Sequence, residues 1–213
     1  MTKRLTRSER RLSSYSSYLA QSVDWREQGV VTPVIEQDPC MSCSAHSAVT
    51  ALESCLALAG RVAPLPLSVQ QLVDCTVGSV VEQGGELERE NTGCVGGFPD
   101  LHLQYVLETG GELLSAANYP LEPSKANITA TDCSAGTRRQ AGPRLENYDF
   151  QFFSDEELLQ SWVADYGPAI TFVDVSPDWQ FYKGESASSA FSFSNVTLQM
   201  ESSTTRTSAR TTC

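Results

Sequence analysis

Apolar residues at Ala45, Ala48, Val49, Leu52, Cys55, Leu56 and Ala59 recur three and four positions apart. That period predicts an amphipathic helix over about residues 42–59, with Ser42 as its N-cap and Gly60 as its stop. Leu67-Ser68-Val69-Gln70-Gln71-Leu72-Val73-Asp74-Cys75 opens with a Ser-x-x-Gln capping box and predicts a short second helix. A glycine-rich loop follows at Gly93-Cys94-Val95-Gly96-Gly97-Phe98. Pro99 then starts a third helix that runs to Gly110-Gly111.

The second half of the chain reads differently. Residues 143–153 look extended, and Ser154-Asp155-Glu156-Glu157 is a further capping box ahead of Leu158, Leu159, Trp162 and Val163. Gly167-Pro168 ends that helix, and 169–175 reads as a strand. Helices first and strands later predict an α+β protein in two lobes: a helical lobe over about 30–142 and a partial β-rich lobe over about 143–184. Residues 1–21 read as a flexible leader, with a transit or nucleic-acid-binding arm as the alternative. Residues 185–213 are Ser/Thr-rich, keep no period beyond Phe191/Phe193, and are expected to be unstructured.

Charge narrows the partners. The 213 residues carry a net charge of −11, and the basic residues 1–12 contribute five Lys/Arg against one Glu, so the remainder is −15. An acidic body of this kind argues against nucleic acid and anionic membrane surfaces as partners. No apolar run approaches the roughly 18 residues of a membrane span, and no signal-peptide pattern is visible at the start. Seven cysteines suggest a disulfide framework with a thiol left over. Only two histidines exist, His46 and His102. No metal-binding or cofactor motif stands out.

Cys43 is the candidate nucleophile. It falls at the first turn of the long helix, where unpaired N–H groups and the helix dipole favour a thiolate. Gln37, six residues upstream, carries a side-chain amide able to donate to a developing oxyanion. The surrounding residues, Val23-Asp24-Trp25-Arg26 … Gln37-Asp38-Pro39-Cys40-Met41-Ser42-Cys43-Ser44-Ala45-His46, strongly resemble the mature N-terminus of papain-type cysteine peptidases. Leu67–Cys75 and Gly93–Pro99 match the same family in order. Tyr119-Pro120, Gly167-Pro168-Ala169-Ile170 and Asp178–Gly184 match more weakly, so the resemblance spans about residues 22–184.

The resemblance implies a papain-like two-lobed fold and hydrolysis of peptide bonds through a thioester on Cys43, with Gln37 beside the Cys43 N–H as oxyanion donor. It places Gly96, Gly97 and Phe98 along the substrate, and Phe172 near the specificity pocket. It implies the disulfides Cys40–Cys94 and Cys75–Cys133, no cofactor, and peptide or protein substrates, with a protein inhibitor or pro-region as further partners. A lysosomal, vacuolar or extracellular setting follows from the family and the cysteine content. Asn127-Ile128-Thr129 and Asn195-Val196-Thr197 are glycosylation sequons that matter only in a secreted chain.

Departures from the family pattern are specific. Met41 stands where Gly is usual, Ser44 where Trp follows the nucleophile, His46 where Phe is usual, and Asp38-Pro39 where a small, Gly-starting pair is usual. The family's general base is a His about 130–150 residues after the Cys, oriented by an Asn. No His follows His102 here. The expectation is therefore an inactive chain, either a peptide-binding pseudoprotease or a truncated or misread product. His46 is expected to be a buried, satisfied side chain, His102 a helix-surface residue, and Cys55 a buried thiol.

Overall fold

The computed structural model describes residues 23–37, 39–61, 63–81, 88–122, 133, 144–151, 156–173 and 193–199. The leader, the Asn127 sequon, the Ser154 capping box and the Asp178–Gly184 match lie outside these residues. The described part contains α1 (Cys43–Gly60), α2 (Val69–Cys75), β1 (Gly78–Val81), β2 (Glu88–Asn91) and α3 (Pro99–Glu108). β3 (Asp149–Gln151), α4 (Glu156–Tyr166), β4 (Ile170–Val173) and β5 (Phe193–Gln199) follow. The mixed α and β character read from the sequence is present. No described helix is long and apolar enough to cross a membrane.

α1 is the centre of the fold. Its predicted apolar stripe is buried at Ala45, Ala48, Val49 and Leu52, packed with Leu72 and Val73 of α2 and with Leu103 and Val106 of α3. Burial extends well beyond that stripe, to Ser44, Ala51, Glu53, Ser54 and Ala57. The reason is a second layer. Ile170 of β4 joins the same core, and Gly167, between α4 and β4, sits where an added Cβ would lie 2.8 Å from Leu58 Cδ1. Trp25 Nε1 also donates to Val163 O of α4 at 2.8 Å, tying the chain's start to its second half.

Glu53, Ser54 and Asp74, polar groups drawn into this interior, are paired. Glu53, 1% exposed, accepts from the Thr32 hydroxyl and from Leu67 N–H (2.6 Å), and Ser54 donates back to Thr50 O. Burial nevertheless raises the Glu53 carboxyl above its ordinary range. Gln70 and Tyr119 both donate to Asp74 (2.8 and 2.7 Å), which joins α2 to the segment before residue 122.

Several local expectations need correction. Ser42 occupies the N-cap position of α1 but makes no side-chain cap bond; its hydroxyl faces His46 Nδ1 at 3.2 Å instead. Gly60 is the last helical residue, and the left-handed stop falls on Arg61 (φ 50°), whose N–H reaches Ala57 O. The capping box at α2 forms by half. Gln71 N–H donates to Ser68 Oγ (3.0 Å), but the Gln71 amide turns away to accept from Leu114 N–H, and Ser68 N–H goes to Leu114 O. Cys55 is disulfide-bonded rather than a free buried thiol, its partner lying outside the described residues.

β1 and β2 pair antiparallel, Gly78 opposite Asn91 and Val81 opposite Glu88. The run Glu88-Arg89-Glu90-Asn91 has no apolar alternation, so no strand was legible there. A three-stranded sheet takes the order β3-β5-β4. Its middle strand, Phe193–Gln199, lies in the segment expected to be unstructured. The register explains the missed signal. Thr171 pairs with Thr197 while Phe172 pairs with Ser194, so residues Asn195 and Val196 bulge out of register. Apolar Phe193 and Val196 consequently stand three apart, which breaks the two-residue period. By pairing with both neighbours, β5 removes the unpaired inner edges that β3 and β4 would otherwise carry.

Two substitutions test this packing. Leu52 is fully buried among three helices, and Leu52→Ala should cost about 2–5 kcal/mol in a denaturant melt. Arg61→Gly should raise stability by about 0.5–1 kcal/mol, since glycine takes the left-handed stop without a Cβ penalty; a lower melting temperature would contradict that.

Candidate active site

Cys43 is the first residue of α1, exposed, and the one free thiol among the described cysteines. Its exposure is a matter of helix placement. The body of α1 is enclosed, while its first residue projects at the end where backbone N–H groups stay unpaired. The loop leading to it is held by one carbonyl. Cys40 O accepts from Gln37 Nε2 (2.7 Å) and from Ser42 N–H (2.8 Å). The Gln37 amide is thereby fixed beside the turn that carries Cys43, with its second N–H free of that bond.

A disulfide joins Cys40 to Cys94, and Met41 N–H donates to Cys94 O at 3.0 Å. The loop before Cys43 and the glycine-rich loop are therefore linked twice, by a covalent and a hydrogen bond. A second disulfide joins Cys75 at the end of α2 to Cys133. Both bridges close loops of more than fifty residues, separations of 54 and 58, which restrict the unfolded chain by roughly 4 kcal/mol each on a chain-entropy estimate.

In the glycine-rich loop, Gly93–Val95 form a 3₁₀ turn and Thr92 returns two bonds to Gly96 O, from N–H and from Oγ1. Gly96 has φ 129°, and nothing lies within 4 Å of where its Cβ would be. Gly97 differs. A Cβ there would fall 2.3 Å from Asn91 Oδ1 and 3.2 Å from Ser44 Oγ. The protein's own interior therefore leaves no room for a Cβ at this position. Asn91 Oδ1 is fixed in turn by Phe98 N–H at 2.7 Å. Phe98, half-buried, is the N-cap residue of α3. Phe172 lies half-buried on β4, in the other half of the chain, and no hydrogen bond or core contact brings it to Cys43.

Neither imidazole meets the thiol. His46 is half-buried and turned back along its own helix, Nδ1 lying 3.0 Å from Ser42 O, while its buried Nε2 has no partner. It is thus satisfied at one nitrogen only. His102 is 3% exposed, not a surface residue. The third helix turns this position inward, against polar rather than apolar neighbours. Its Nε2 lies 3.0 Å from Ser44 Oγ, and its Nδ1 lies 2.7 Å from Thr76 Oγ1 and 3.2 Å from Asn91 Nδ2. The apolar residues on either side of it, Leu101 and Leu103, gave no hint of this polar pocket. Asn91 was not legible as a site residue either. Only its place six residues before Gly97 marks it, and that signal has meaning once the loop's fold is known.

Cys43 is thus an exposed thiol at a helix N-terminus, three residues after the Cys40 carbonyl that holds the Gln37 amide. It lacks a hydrogen-bonded base among the described residues. Among the described residues, no group of three or more metal-ligating side chains is gathered.

The chain matches the model of the papain family of cysteine proteases over residues 19–201. It is 32% identical to cathepsin O of Mus musculus over 162 residues, covering 76% of this chain and 46% of that protein. It is 38% identical to procathepsin L of Mus musculus over 166 residues, covering 77% of this chain and 44% of that one. The chain therefore spans less than half the length of these two relatives. Its fold is similar to that of the bromelain protease from Ananas comosus in complex with the E64 inhibitor. The TM-score is 0.63 and the identity 24%, over 82% of this chain and 73% of that one.

Burial lowers His102 to about 3, from an ordinary value of 6.5. Between those values the unfolded chain binds a proton that the folded chain does not, so this contribution is complete above pH 6.5 and is lost as pH falls toward 3. Glu53, raised by burial, acts with the opposite sign and weakens the fold as pH rises through its shifted value. Denaturant melts from pH 7 to pH 4 should show a shallower decline in His102→Gln than in the parent chain. An equal slope in both would contradict this.

Proposed function

The chain belongs to the papain family of cysteine proteases, and from that premise we propose that Cys43 is a peptide-directed nucleophile in a cleft that this polypeptide fills without turning over its ligand. The exposed free thiol at the start of α1 is the observation that carries the reading. In the reaction, the Cys43 thiolate adds to a peptide carbonyl carbon. The oxyanion that forms takes N–H bonds from the Cys43 backbone and from Gln37 Nε2. Collapse breaks the C–N bond and leaves a thioester on Cys43, and the departing amine needs a proton. A second base-assisted attack by water would free the acid.

Both proton transfers belong to an imidazole within reach of the sulfur. His46 is bonded toward Ser42 and His102 is enclosed, so these 213 residues bring the nucleophile and the oxyanion donors without the base. Peptide binding and stoichiometric capture of reactive carbonyls are the activities left to them. Gly96, Gly97 and Phe98 form the wall on the helical side, with Phe172 on the β-rich side. We assign residues 22–184 to the peptidase domain and add β5, Phe193–Gln199, which lies beyond those bounds and pairs with β3 and β4. Peptide or protein ligands follow from the family, and a protein inhibitor or pro-region would occupy the same cleft. Two disulfides among the described residues favour an oxidising setting, lysosomal, vacuolar or extracellular.

A thiol-directed peptidyl probe should label Cys43 once per chain, and Cys43→Ser should abolish labelling. A fluorogenic peptide should show no turnover above the Cys43→Ser background. Sustained hydrolysis blocked by the probe would overturn the absence of a base. A non-catalytic pseudoprotease is the second reading, favoured by the intact Cys40–Cys94 link between the two loops. It predicts saturable peptide binding that survives in Cys43→Ser.

A further inference from the structure

Ser44, His102, Thr76 and Asn91 come from α1, α3, the end of α2 and the end of β2, and they meet in one buried polar cluster. Three of the four are buried, with Ser44, His102 and Asn91 at 5%, 3% and 1% exposure. The bonding directions follow from counting protons. The Thr76 hydroxyl gives its one proton to Leu72 O (2.6 Å), so its oxygen accepts. His102 Nδ1–H donates to it at 2.7 Å, and Asn91 Nδ2 donates to it at 3.3 Å. His102 Nε2 is then the acceptor, and the Ser44 hydroxyl is its donor at 3.0 Å.

The two ends of this cluster touch the two parts of the proposed cleft. Ser44 directly follows Cys43. Asn91 Oδ1 holds Phe98 N–H, and both Asn91 Oδ1 and Ser44 Oγ crowd the position of a Gly97 Cβ. Ser44, moreover, is where the resemblance leads one to expect Trp, and a small hydroxyl there leaves room that the imidazole occupies.

We infer that His102 is a positioning residue, whose uncharged ring spans from Ser44 to Thr76 and Asn91 and so sets the spacing between the Cys43 turn and the Gly96–Phe98 segment. It touches neither thiol nor ligand. It acts through Ser44 on one side, and on the other it reaches Asn91 through the Thr76 hydroxyl oxygen that accepts from both. The Cys40–Cys94 disulfide links the same two segments covalently, and the His102 cluster links them by hydrogen bonds. A buried cluster of this kind holds its geometry because each member left unpaired would carry a desolvation cost with no water to offset it. The inference rests on the reading of Cys43 and Gly96–Phe98 as one peptide cleft.

The test compares His102→Leu, His102→Gln and Ser44→Ala with the parent chain on two reagents. A peptidyl electrophile needs the cleft wall as well as the thiol, whereas iodoacetamide needs the thiol alone. The peptidyl rate should fall about tenfold in His102→Leu and in Ser44→Ala, with less than about twofold change for iodoacetamide, from the loss of one buried bond. The double variant should be little worse than either single one, because both break one cluster. His102→Gln, whose amide reaches Ser44, should recover part of the loss. Hydrogen exchange at the Phe98 amide should quicken about tenfold in His102→Leu while amides of α4 stay unchanged.

Equal loss on both reagents, with exchange quickened throughout the chain, would mean a structural role only and would overturn the inference. No change in either rate would do the same. Should His102→Leu fail to fold, Ser44→Ala gives the same two-reagent comparison. A parent chain with no preference for the peptidyl reagent would refute the cleft itself, and the Phe98 exchange rate would then decide the positioning role alone.

Discussion

The fold turns on α1, a helix enclosed along almost its whole length and open at its first residue. A stripe of small and branched residues meets α2 and α3 on one side, and the second half of the chain closes over the other through Ile170 and Gly167. Enclosure makes the helix rigid, and an open N-terminus leaves a thiol at a place where the backbone favours negative charge. The same helix is therefore both the core and the bearer of the reactive group. Its polar residues must accordingly be paired inside, as Glu53 is by Thr32 and Leu67.

Around the thiol, position is set by redundancy. The Cys40 carbonyl gathers Gln37 and Ser42, the Cys40–Cys94 bridge carries the glycine-rich loop, and Asn91 pins Phe98. None of these contacts is strong alone, at about 1 kcal/mol net for an ordinary hydrogen bond. Together they join two loops that are far apart in sequence, and a cleft wall requires that. Ser44 and His102 extend the same linkage into the interior in place of a bulky aromatic.

Chemistry then divides from architecture. An exposed thiol and an amide donor belong to acyl transfer, but transfer to water needs a proton shuttle. One histidine faces back along its helix, and the other is buried and kept uncharged. Loop linkage and base placement depend on different residues, so the contacts that hold the Cys43 turn and the glycine-rich loop together do not depend on either imidazole meeting the thiol.

The long helix, its starting thiol, the short helix after Ser68 and the Pro99 helix were legible in the sequence, because periodicity and capping act within a few neighbours. So was the family, through residues clustered near Cys43, and so was the shortage of imidazole, which is a matter of counting. The tertiary structure alone decided what lies on each face. It enclosed His102 where local pattern suggested a surface, placed the left-handed stop on Arg61, and paired Phe193–Gln199 through a bulge that erased its alternation. It also brought Asn91 against Gly97, where no Cβ would fit. Burial and pairing at these positions come from segments distant in the chain, so no local pattern contains them.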